Sequence, residues 1–194
     1  AQKAIHVSPA KGGAPPLFNG GIGRVHTKVR QRMRDIYEGR SPAPFLDATA
    51  QRFVSEGQQA YAQLELGQRL LLDQGSAALV LTWLGDSANE ALACLMMSRG
   101  FQAVAVRLGV EITKGDRSLE EIEGALADAA SEPVPPVDEM LANAGNLARQ
   151  KWDGLLSPRL LRISYASLNL DVGEAMEWLV GHARNDHGLC ARDI

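Results

Sequence analysis

Cationic side chains are the residues of this chain whose type and spacing could do chemistry. Arg24, Lys28, Arg30, Arg32 and Arg34 crowd one stretch of helical periodicity, and Lys11 lies in the glycine- and proline-rich loop before it. Gly20, Gly21 and Gly23 lead into the expected helix start. Free N–H groups and the helix dipole favour an anion there, and Arg24 and Lys28 stand one turn apart beside it. That is the chemistry of a phosphate contact, made by charge and indifferent to base sequence. Lys11, Arg24, Lys28, Arg30 and Arg34 are therefore the candidate nucleic-acid-binding residues. The competing reading is an ordinary basic surface helix, because the cations fall on both edges of an apolar stripe and not on one face. Trp83 stands at an expected strand-to-helix turn and is a candidate for stacking on a base, against the alternative of a core tryptophan. Tyr61, on an apolar helical stripe, reads as core.

Other chemistries leave no local mark. The Walker A pattern is absent, and Arg24-Val25-His26 after the glycines supplies neither the strand nor the third glycine of a dinucleotide fingerprint. There is no nucleophile elbow and no HExxH. His182, His187 and Cys190 fall short of the four closely spaced ligands that a zinc site needs. The expectation is a chain with no catalytic residue, no metal and no cofactor of its own. A site assembled only in three dimensions, around His6 or His26 with carboxylates, is the enzyme alternative.

Composition bounds the rest. The 194 residues suit one domain with an appendage and carry a net charge of −3. Residues 1–54 carry +6 and the remainder −9. A basic front and an acidic back point to a polyanion or an acidic protein surface at the front, or to two solvated faces of opposite sign. Two cysteines, Cys94 and Cys190, fit a reducing compartment. No apolar run approaches 18 residues, so no membrane contact is expected and the location reads as cytoplasmic. The start has no apolar leader and no initiator Met, which reads as a processed product or a piece of a longer chain.

The elements that must position these residues centre on 77–100. Ala78–Leu84 is an apolar run fit for a strand buried on both faces. Ser87 and Glu90 have capping-box spacing, and Ala88, Ala91, Leu92, Leu95 and Met96 give the following helix an apolar face. Before it come a basic helix from about Arg24 to Glu38, with Val25, Val29, Met33 and Ile36 as its core stripe, and a second helix from Asp47 or Thr49 to about Leu66. The second helix places Phe53, Gly57, Ala60, Tyr61 and Leu64 on one face. Arg69–Asp73 reads as a strand joined to the central one by a Gln74-Gly75-Ser76 hairpin, and Phe101–Arg107 and Val110–Ile112 as two more strands. An acidic helix starts at Ser118. Glu132–Pro136 reads as a linker, followed by helices at 137–149, 158–166 and 171–183. The expected fold is α+β: a small, mainly antiparallel sheet packed with helices in residues 1–131, an all-helical C-terminal subdomain in 137–185 and a tail in 186–194.

Several segments together resemble a known family. They are Gly12–Gly20 leading into Val25-His26 and Met33-Arg34, then Phe45–Ala50, Thr82-Trp83-Leu84-Gly85-Asp86 with Asn89, Lys151-Trp152-Asp153, Leu160-Leu161 and Tyr165-Ala166. In this order they resemble the C-terminal accessory region of long bacterial DEAD/DEAH-box helicases, akin to the Lhr and Ski2-like enzymes of superfamily 2, over about residues 5–180. The resemblance implies a non-motor domain that contacts the backbone of DNA or RNA and docks on RecA-like helicase motor domains. ATP and Mg would then be bound by the motor domains, not by this chain. A protein–protein interaction module without nucleic-acid contact is the alternative.

Overall fold

The computed structural model describes residues 23–41, 43–183 and 192–193. Two tight turns build its sheet. Gly75 takes a positive φ of 78°, and its N–H donates to Asp73 Oδ1 at 2.8 Å, so the chain reverses between β1 (Leu71–Asp73) and β2 (Ala77–Leu81). Arg107-Leu108 turns β3 (Gln102–Val106) into β4 (Gly109–Thr113). Gly109 lies opposite Leu81, where a Cβ would stand 1.8 Å from the Val80 carbonyl oxygen, so only glycine admits this register. The strand order is β3-β4-β2-β1-β5, with β5 (Arg192–Asp193) parallel to β1 and the other neighbours antiparallel.

Helices complete an α+β fold. They are α1 (Thr27–Tyr37), α2 (Ala48–Gln63), α3 (Asp86–Ser98), α4 (Leu119–Ser131), α5 (Val137–Met140), α6 (Pro158–Asn169) and α7 (Val172–Ala183). Alternation along β2 sends Ala78 and Val80 to one side, where they join Val110 and Ile112. Leu92, Leu95 and Met96 of α3 pack into the same core, as do Ile122 and Leu126 of α4 and Leu179 of α7. Leu81 and Trp83 belong to a second cluster with Tyr61, flanked by Met33 and Tyr37. Tyr165 and Trp178 join the main cluster, so one hydrophobic core continues past Glu132–Pro136.

The middle order of strand, strand, helix, strand, strand is as the sequence predicts; several details differ. The expected core stripe of α1 holds only in part: Met33 packs against the second cluster, but none of the stripe is fully buried. Val29 is 52% exposed, and Thr27 and Arg30 are the buried residues. The surface that α1 meets offers carboxylates, so polar side chains turn inward. Phe53 of α2 is exposed and only Tyr61 of that helix is buried. The expected helix over 137–149 stops at Met140. Beyond it, side chains take the backbone donors: Ala148 N–H donates to Asn146 Oδ1, and the N–H groups of Arg149 and Gln150 donate to Asp153 Oδ2, at 2.7–2.9 Å. Among the described residues no helix is long and apolar enough to cross a membrane.

Candidate functional site

The junction between β2 and α3 is a closed polar cage. Thr82 Oγ1 donates to Asn89 Oδ1 at 2.6 Å and accepts from Leu84 N–H at 3.1 Å, while Asn89 Nδ2 donates to the Leu84 carbonyl at 3.2 Å. Both polar side chains are buried, and the cage leaves Thr82 Oγ1 and both Asn89 amide atoms partnered. Between them Trp83 sits at φ 58°, a left-handed conformation that bulky residues rarely take, held by its N–H bond to the Leu108 carbonyl at 3.1 Å.

The start of α3 is then capped from a distance. The expected Ser87–Glu90 box does not form; Gly85 is the N-cap and makes no side-chain cap bond. The chain entering α1 does the work instead. Gly85 N–H donates to Thr27 Oγ1 at 2.7 Å, and Asp86 N–H donates to the Val25 carbonyl at 2.9 Å. In return Asp86 Oδ2 accepts Val25 N–H at 2.8 Å. The Thr27 hydroxyl itself donates to Glu174 Oε2 of α7 at 2.6 Å. Ser118 and Glu121, by contrast, form the capping box that their spacing predicts. Asp171 likewise accepts Glu174 N–H at the start of α7, at 3.0 Å.

The predicted site residues divide between this junction and other places. Arg24 is exposed, but its guanidinium donates to the Asn169 carbonyl at 2.5 Å, Asn169 Oδ1 at 2.6 Å and Ser87 Oγ at 3.1 Å. Arg30 is buried in an ion pair with Asp86 at 3.2 Å. Arg34 points the other way, to Glu38 at 2.8 Å and the Gly67 carbonyl at 3.2 Å. Lys28 is exposed on α1, and Lys11 lies outside the described residues. The cations therefore do not gather in one exposed groove. Trp83 is 3% exposed and tilted against Tyr61 and Tyr37, so its ring presents no face to a base.

A second polar network closes the far end of α1. Glu38 accepts from the Tyr61 hydroxyl at 2.7 Å and from Arg34 and is paired with Arg40. Burial pushes the Glu38 carboxyl up, but these donors outweigh it and hold it below its ordinary range. Burial and Glu38 together raise the Tyr61 hydroxyl. In the core, burial and the charge of Glu90 push the Cys94 thiol up to about 12, so it stays protonated at neutral pH and is no nucleophile. His26 caps α1, its Nδ1 accepting Lys28 N–H at 3.1 Å. Among the described residues no group of His, Cys, Asp and Glu could hold a metal ion; His187 and Cys190 lie outside them.

Two features escaped the sequence. A cavity of about 720 Å³ opens beside the junction, lined by Arg24, Arg30, Asp86, Glu90 and Arg107. Arg107 carried no signal beyond its charge at a hairpin turn. Exposed apolar side chains also recur between 152 and 168: Trp152, Leu155, Leu160, Ile163 and Leu168.

No family model, no curated protein and no solved structure matches this chain.

Proposed function

We propose that this chain is a non-motor accessory domain of an ATP-dependent DNA or RNA helicase, docked on RecA-like motor domains and touching the nucleic-acid backbone. One observation supports this reading best. The residues that carry the resemblance are scattered along the chain, yet many of them belong to one hydrogen-bonded unit. Val25 and Asp86 exchange backbone and side-chain bonds, Gly85 leans on Thr27, Thr82 and Asn89 close the cage behind them, and Tyr165 donates to Glu90 on the same α3.

The backbone contact is modest on this reading. Arg30 and Arg34 hold the fold together, and among the described residues Lys28 is the predicted site residue that is exposed and without such a contact. The test is fluorescence anisotropy of labelled single-stranded and duplex DNA and RNA, at low and at physiological salt. The expected result is weak binding that falls steeply with salt and falls further with Lys28→Ala. Absence of binding at low salt would remove the nucleic-acid contact and leave a docking domain. That second reading, a protein-interaction module, has its own observation in the exposed Trp152, Leu155, Leu160 and Ile163. It predicts that Leu160→Glu with Ile163→Glu leaves folding intact but abolishes association with the motor domains.

A further inference from the structure

The cavity beside the junction is built unevenly in charge. Three guanidinium groups line it, from Arg24, Arg30 and Arg107, against two carboxylates, from Asp86 and Glu90. Both carboxylates already have donors. Asp86 accepts from Val25 N–H at 2.8 Å and from Arg30 at 3.2 Å, and Glu90 accepts from the Tyr165 hydroxyl at 2.5 Å. Arg24 is engaged with Asn169 and Ser87, but the other two cations are less well served. The Arg30 side chain is only 9% exposed, and its Nε finds no acceptor. Arg107 is exposed on the β3–β4 turn and forms no hydrogen bond or ion pair among the described residues. The exposed Arg107 guanidinium, backed by the positive charge of Arg24 and Arg30, attracts an acceptor-rich anion, and its planar fork matches phosphate oxygens two at a time.

We propose that this cavity is an oxyanion site that takes a phosphate group, with Arg107 as its free clamp and the Arg24–Arg30 wall behind it. The proposal rests on the backbone contact proposed above and gives that contact a place. The same chemistry serves a phosphodiester of a nucleic-acid strand and a free phosphate, and two measurements separate them. In the first, inorganic phosphate is titrated into the ¹⁵N-labelled chain at constant ionic strength, with chloride as the reference salt. The Arg107 Nε–H and Gly23 N–H resonances are expected to shift with saturation. In the second, a labelled single-stranded RNA is bound to the native chain and to Arg107→Ala, Arg107→Lys and Arg52→Ala. Arg52 is exposed on α2 and lines no part of this cavity.

Arg107→Ala is expected to weaken RNA binding by about tenfold, with Arg107→Lys between it and the native chain and Arg52→Ala unchanged. Because Arg107 has no partner to lose among the described residues, the thermal melt of Arg107→Ala should match the native one. If RNA binds but Arg107→Ala and Arg52→Ala weaken it equally, the site is overturned while a diffuse backbone contact stands. If phosphate saturates Arg107 but RNA does not bind, the cavity takes a free phosphate and the nucleic-acid reading fails. If neither ligand perturbs Arg107, the site is overturned outright.

Discussion

Trp83 carries two local costs at once: a left-handed backbone and a buried indole N–H with no acceptor among the described residues. Each is of the order of 1–3 kcal/mol in general. The tilted ring contacts of Trp83 with Tyr37 and Tyr61 and the Leu108 backbone bonds offset them. Trp83→Phe keeps an aromatic ring and deletes the orphan donor, so it should unfold in urea within about 1 kcal/mol of the native chain. A loss of several kcal/mol would mean that the lost ring volume or an indole partner outweighs the removed orphan donor. Glu38 permits a pH prediction. Its folded carboxyl titrates lower than in the unfolded chain, so its contribution is present above the ordinary carboxylate range and is lost as pH falls through the folded value. Glu38→Gln should cost about 1–3 kcal/mol at neutral pH and progressively less on acidification, measured as denaturant midpoints across the acid range.

At the scale of elements, two glycines fix how strands and helices meet. A Cβ on Gly85 would stand 2.7 Å from Thr27 N and 2.8 Å from the Val25 carbonyl oxygen, and one on Gly109 would collide with Val80. Gly85→Ala should push the α1 entry off the start of α3, and Gly109→Ala should break the β2–β4 register. Each is expected to cost about 3 kcal/mol or more, read from thermal or urea unfolding. The sheet and α3 were legible in the sequence because they follow apolar runs and helical spacing that any buried surface imposes. The inward face of α1 was not, because Thr27 and Arg30 are buried for their hydrogen bonds and periodicity counts only apolar residues. The cap of α3 was misread for a related reason: Ser87 has the right spacing, but Thr27, far away in sequence, supplies the oxygen. The helix expected beyond Met140 ignored Asn146 and Asp153, whose side chains compete for its backbone donors. Of the candidate site, the basic character of α1 was visible, but which cations are engaged depends on contacts 33 to 145 residues apart.

For the whole molecule, the continuous core decides what can be separated. Leu179 and Trp178 of α7 sit in one cluster with Leu92 of α3 and Ile122 of α4. A chain ended after Ser131 would leave that surface bare. It should lose near-ultraviolet circular dichroism and bind a hydrophobic dye such as ANS while keeping part of its helical signal. A cooperative melt from such a fragment would show that residues 1–131 fold alone.

Glu174 reaches back 147 residues to Thr27, and Asn169 reaches back 145 to Arg24. A ribosome adds about 5–20 residues each second, so the stretch around Thr27 leaves it many seconds before its partners exist. During that interval Arg24 and Thr27 lack these partners, and the start of α3 receives only part of its final support. The first of the described helices is thus among the last to be locked, and a nascent-chain pause or a bound chaperone near residue 170 would act on the junction of α1 with α3.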